Sequence, residues 1–206
     1  MRTRSLLGCG AVAGPVFVAG FVVGGRAQPS YDPRRQAVSD LARTDLAPLQ
    51  TATFLAGGAL LLAGAAGARR ALRPGVSAWA LPVAVGAVGA GMACAGVFPT
   101  DTAEEIAEAG LSRRGTLHVA SAVPVFVGTP LAAVLGARRL AAEGRTGWAA
   151  LSVAAGAVSL AAAAATGGAM SEESPLAHRA GTFQRTAIVA GLGWVSLFAR
   201  WLRQRT

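Results

Sequence analysis

Five runs of more than 20 residues, at 5–25, 46–68, 74–100, 115–137 and 146–171, contain no Arg, Lys, Asp or Glu. A helix needs about 20 apolar residues to cross the hydrocarbon core of a bilayer, and each run meets that length. A sixth run, 186–199, is too short alone. Extended to 182–202 it is long enough, which places Arg185 at membrane depth and lets Arg200 snorkel toward the interface. The expectation is an all-α, polytopic membrane bundle of six transmembrane helices. Their expected bounds are about 5–25, 47–68, 77–98, 116–137, 147–168 and 182–202, in a single domain over residues 1–206.

Composition supports a lipid environment. Of 206 residues 53% are hydrophobic and 14% charged, where a soluble domain would carry roughly a quarter charged. The net charge of +9 does not point to nucleic acid. All 19 basic residues are Arg and cluster at the ends of the apolar runs, as membrane orientation requires. One side of the expected bundle holds Arg2, Arg4, Arg69, Arg70, Arg73, Arg138, Arg139, Arg145, Arg200, Arg203 and Arg205 against a single acid, Glu143. The other side holds eight Arg and nine of the ten acids. The first side is expected to be cytoplasmic, with both termini, in a multi-pass protein of a bacterial plasma membrane.

The two cysteines, Cys9 and Cys94, fall near opposite ends of their helices, roughly 20 Å apart in depth. That is beyond disulfide reach. Leu6-Leu7-Gly8-Cys9 has the order of a lipidation signal but lacks the apolar stretch that should precede the cysteine. Residues 5–25 also have the flanks of a cleaved signal peptide. The run is long for one, however, and its loss would leave five helices, so a retained helix is expected. Gly67-Ala68-Arg69-Arg70 with Gly75 and Trp79 recurs 69 residues later as Gly136-Ala137-Arg138-Arg139 with Gly144 and Trp148. Two readings fit: an internal repeat of two helices, or two inner loops that need the same Trp and Arg anchors. Small residues such as Gly86, Gly89, Ala90, Gly91 and Ala95 suit close helix packing.

The polar residues collect on the other, outer side. Ser39-Asp40-Leu41 follows the first helix, and Phe98-Pro99-Thr100-Asp101 follows the third. Gly115 and His118 enter the fourth, His178 lies in the last outer loop, and Phe183-Gln184-Arg185 enters the sixth. With these motifs in this order, the chain resembles, over almost its whole length, the family catalogued as domain of unknown function 998. The resemblance implies a six-helix bacterial membrane protein and brings no established activity.

Asp40 and Asp101 each read equally as a helix cap or as a carboxylate of a site. His118 lies about one turn inside an apolar helix, where ionisable residues usually face the bundle interior. Arg185 cannot shed its charge, so it is expected to pair with Asp40 or Asp101. Asp40, Asp101, His118, Gln184 and Arg185 are the candidate ligand-binding residues, expected to converge on one outer-facing pocket.

Three functions fit them. The first is binding or transport of a membrane lipid or amphiphilic small molecule by its polar head. The second is an intramembrane enzyme in which Asp40 or Asp101 is the general acid or base and His118 tunes it. The third is an accessory membrane subunit. His118, Asp40 and Asp101 lack the HExxH or paired-histidine spacing of a metal site, and neither metal nor other cofactor is expected. The sequence does not set an oligomeric state.

Overall fold

The structure, a computed structural model, describes residues 2–72, 75–171 and 173–206. Arg73 of the inner Arg cluster, Pro74 at the start of the third run and Glu172 among the outer acids lie outside them. A backbone crossing lipid finds no water to bond, and a helix satisfies its N–H and C=O groups within the segment. The apolar runs accordingly form α1 (Thr3–Ala27), α2 (Ala47–Ala71) and α3 (Ser77–Val97). A short α4 (Ala103–Ala109) precedes α5 (Arg113–Ala142) and α6 (Thr146–Ala169). The five long helices are long and apolar enough to cross a membrane. The last helix, α7 (Ala180–Arg203), equals α6 in length but is less apolar, carrying Gln184, Arg185, Arg200 and Arg203. Two 3-10 helices, Val38–Arg43 and Ala177–Arg179, lie in the connections.

These bounds fall within three residues of those expected, except at the end of α5, which continues five residues past Ala137. It stops before Gly144, whose φ of +71° is left-handed backbone that glycine adopts without steric cost.

The six long helices close into a ring in the order α1, α2, α3, α5, α6, α7, with α7 packed back on α1 and α5 touching α7 across the ring. Leu7, Leu61, Leu81, Val88, Met92 and Leu192 fill the interior. Val23, Val83, Val123, Val153 and Leu160 are exposed on the outside. A soluble bundle would not surround itself with apolar side chains on every helix; the molecule is a helical membrane bundle.

Without a hydrophobic driving force between helices in lipid, close backbone approach and interhelical hydrogen bonds hold such bundles together. Both devices appear. A Cβ on Gly58 would stand 2.6 Å from the Gly89 carbonyl oxygen, and one on Gly89 2.8 Å from that of Gly58, so α2 and α3 touch backbone to backbone. Helix α7 is stitched to its neighbours through hydroxyls. Ser196 Oγ accepts from Gly14 N at 3.0 Å and donates to Gly10 O at 3.3 Å. Trp194 Nε1 donates to Ser152 Oγ at 2.8 Å, and Ser159 Oγ to Ala187 O at 3.1 Å. At the end where α2 stops and α3 starts, the Arg69 guanidinium stacks 3.9 Å over Trp79. Cys9 and Cys94 are unpaired.

Candidate functional site

Helices α1, α3 and α6 end, and α2, α5 and α7 begin, at the pole that carries the polar motifs. Its centrepiece is the 3-10 helix Val38–Arg43. Val38 and Leu41, three residues apart, share one face of a 3-10 helix and are 1% and 0% exposed. They anchor the segment on α1, α2 and α7. Val38 N donates to Gln184 Oε1 at 2.7 Å, which fixes it to α7. Arg43 Nη2 meets Glu105 Oε1 at 2.5 Å, which fixes its other end to α4. Asp40 acts as a cap: its Oδ2 accepts from Ala37 N at 2.8 Å. Burial pushes the Asp40 carboxyl above its ordinary value, against the pull of the Ala37 hydrogen bond, His118 and Arg185.

Arg185 forms no ion pair with Asp40 or Asp101 among the described residues, which corrects the expected pairing. Its Nη1 donates to three carbonyls, of Pro33 (2.6 Å), Gln36 (2.9 Å) and Gly181 (2.9 Å), and its Nη2 bonds the Tyr31 hydroxyl. Tyr31 in turn donates to Ala37 O at 2.7 Å. The first turn of α7 takes the carbonyls between, with Gly181 N donating to Arg35 O at 3.2 Å and Thr182 N to Arg34 O at 3.1 Å. Five successive carbonyls, Pro33 through Ala37, are thus received by one helix start, one guanidinium and one phenol. A helix N-terminus has unsatisfied N–H groups, and here a loop supplies the acceptors. The contact requires Gly181, because a Cβ there would collide with the Gln36 oxygen. Burial, its largest influence, pushes the Tyr31 phenol up to about 12 despite the neighbouring Arg185.

Asp101 is also placed differently from expectation. Thr102, not Asp101, caps α4: Thr102 Oγ1 accepts from Glu105 N at 3.2 Å, and Glu105 Oε2 accepts from Thr102 N at 2.8 Å. Asp101 instead reaches the start of α5, where Oδ2 accepts from Ser112 N at 2.7 Å and Oδ1 from Ser112 Oγ at 2.8 Å. Those two bonds, with Arg114 at 3.6 Å, hold its carboxyl below the usual value against its desolvation. Ser112 Oγ then accepts from Gly115 N at 3.1 Å as the cap of α5.

His118 is buried, its Nδ1 2.7 Å from Phe98 O and its ring edge-on to Phe54 with centroids 6.4 Å apart. A carbonyl only accepts, so Nδ1 carries the proton.

Asp40, Gln184 and Arg185 therefore gather around the 3-10 helix, with His118 near enough to act on the Asp40 charge. Asp101 stands apart, joined to that helix through Arg114, Glu105 and Arg43. Sequence reasoning assigned no role to Tyr31, Arg43, Glu105, Ser112 or Gln50. Gln50 did carry a signal: it is an amide inside the run 46–68. Tyr31 and Ser112 lie in the connections, and Arg43 and Glu105 lie in helices too short for a period to be read.

Beside Arg185, an open groove of about 530 Å³ runs down the outside of α7. Arg34 and Arg185 stand at its polar end with Thr182 and Thr186, and Val189 and Ala190 form its wall.

Comparison with curated proteins and with solved structures gives no match. The family model described as protein of unknown function (DUF998) matches residues 11–201. Nearly the whole bundle lies inside that match, and the chain belongs to the DUF998 family.

Proposed function

We propose that the protein is a six-span protein of a bacterial plasma membrane, with cytoplasmic termini, whose outer rim binds the polar head of a lipid or amphiphile. The sixth span is α7. At 24 residues it is about 36 Å long, and it closes the ring between two helices that are themselves long and apolar enough to span. Its charges sit near its ends, with Arg185 turned to the carbonyls of the first loop and Arg200 and Arg203 in its last turn. The Arg-rich, acid-poor side faces the cytoplasm.

The groove along α7 carries the binding reading. It offers the Arg34 side chain, beside the loop-bound Arg185, where a headgroup would lie and an apolar wall where an acyl chain would follow. Two Arg favour an anionic head. The test is native mass spectrometry of the protein released from nanodiscs of phosphatidylglycerol or phosphatidylcholine. The expected result is retained phosphatidylglycerol, reduced severalfold in Val189→Trp, whose indole would fill the groove from the lipid side. Equal retention by both proteins, or equal retention of both lipids, overturns the reading.

A second reading, an intramembrane enzyme, draws on Asp40. A carboxyl pushed up by burial beside a histidine is what general acid catalysis uses. Cells producing wild-type protein would then differ in lipid composition from cells producing Asp40→Asn, and identical lipid profiles would remove this reading.

A further inference from the structure

Gln50 is 1% exposed, and neither Oε1 nor Nε2 of its amide has a hydrogen-bond partner among the described residues. Buried polar groups in folded proteins are met by protein, by water or by a ligand, and inside an apolar bundle an unmet amide is costly. Its surroundings indicate what it meets. On α2, Gln50 lies one turn outward of Phe54 on the same buried face, and the Phe54 ring abuts that of His118. With Nδ1 of His118 committed to Phe98 O, Nε2 is the ring nitrogen left to meet a ligand. Asp40, on the 3-10 helix that packs on α2, lies within electrostatic range of the His118 ring, and its hydrogen bond to Ala37 uses Oδ2 and not Oδ1.

We infer that Gln50, His118 and Asp40 form a buried site for a hydroxyl group beneath the 3-10 helix. A hydroxyl is a small group that serves both halves of the arrangement. Its oxygen accepts from Gln50 Nε2, and its proton goes to an acceptor, His118 Nε2 or Asp40 Oδ1. The hydroxyl belongs either to water or to a glycerol-type lipid head. The Val38–Gln184 and Arg43–Glu105 contacts keep the 3-10 helix in place above the site. The site is separate from the groove on α7 and does not depend on it.

The test is solution NMR of the full chain in deuterated detergent, with the side-chain amide of Gln50 assigned by its loss in Gln50→Leu. Through-space cross-peaks from that amide to the water resonance identify water. Cross-peaks to glycerol protons of co-purified lipid identify a headgroup, and either result supports the site. Cross-peaks to protein protons alone overturn it. Melting supplies a second measurement. Gln50→Leu is expected to lower Tm, because a hydroxyl loses a partner, and a higher Tm overturns the inference, since it would mean that the amide had been unmet.

Discussion

The carboxylate of Asp101 occupies the place where a side chain on Gly115 would begin: a Cβ there would overlap Asp101 Oδ2. The start of α5 is therefore shaped to let a residue 14 positions earlier reach Ser112. Gly115→Ala should lower stability by about 1–3 kcal/mol through overpacking, although alanine ordinarily favours a helix. Thermal melts in detergent measure this, and an unchanged Tm would show that the carboxylate can move aside freely.

Asp40 and Asp101 should give opposite pH responses. Asp101 has a depressed value, so its contribution is in place above its ordinary 3.8 and is lost as the pH falls through the lower folded value. Asp40 has a raised value, so its ionised form opposes folding at neutral pH, and that opposition fades as the pH falls through the raised value toward 3.8. Asp40→Asn keeps an acceptor for Ala37 N and should raise Tm at pH 7. Asp101→Asn should lower Tm at pH 7 and flatten the acid side below pH 3.8. Melts of both variants across pH decide it; slopes of the same sign would contradict the assignment.

Arg185 holds a loop, so its loss should be read in that loop. Arg185→Ala should destabilise by about 2–3 kcal/mol, the scale of hydrogen bonds from a charged donor. It breaks no ion pair among the described residues. Trypsin cleavage after Arg34 and Arg35, slow in the wild type because their carbonyls are bonded to α7, should become fast. Arg185→Lys should show intermediate cleavage, since an ammonium cannot reproduce the planar fork. Equal cleavage of all three proteins would refute the clamp.

Tyr31 is the single tyrosine of the chain, which makes its phenol directly measurable by ultraviolet titration. Ionisation is expected near 12. Because the folded value lies above the ordinary 10.0, the stability linked to this proton is present below pH 10.0 and is lost as pH rises through about 12. A midpoint at 10.0 in the folded protein would show the ring to be hydrated.

Topology can be read by single cysteines in a background with Cys9 and Cys94 changed to Ala. Ser112→Cys and Ser174→Cys should label from outside intact cells with a membrane-impermeant maleimide, and Gly75→Cys should not. The reverse pattern would invert the proposed orientation.

The sequence by itself determined the helices. Charge-free runs of bilayer length have one way to satisfy their backbone in lipid, and that constraint is local, so α1, α2, α3 and α6 fall close to their expected bounds. The polar motifs were equally legible as residues, and Asp40 takes one of its two expected roles, capping its segment from the third position inside it. What only the tertiary structure decided is where the polar heads point. Arg185 looked bound for a carboxylate because charge seeks charge, yet it finds carbonyls about 150 residues away, brought to it by a loop docked on the start of α7. Asp101 passes over α4, the next helix, and reaches Ser112 because Gly115 leaves room. Gln50 shares the run 46–68 with Thr51 and Thr53, and only the packing of α2 against its neighbours buries its amide, one turn from the Phe54–His118 contact. Helix length follows from neighbours in sequence; rotation about the helix axis and the docking of loops follow from packing between distant segments, which no local pattern encodes.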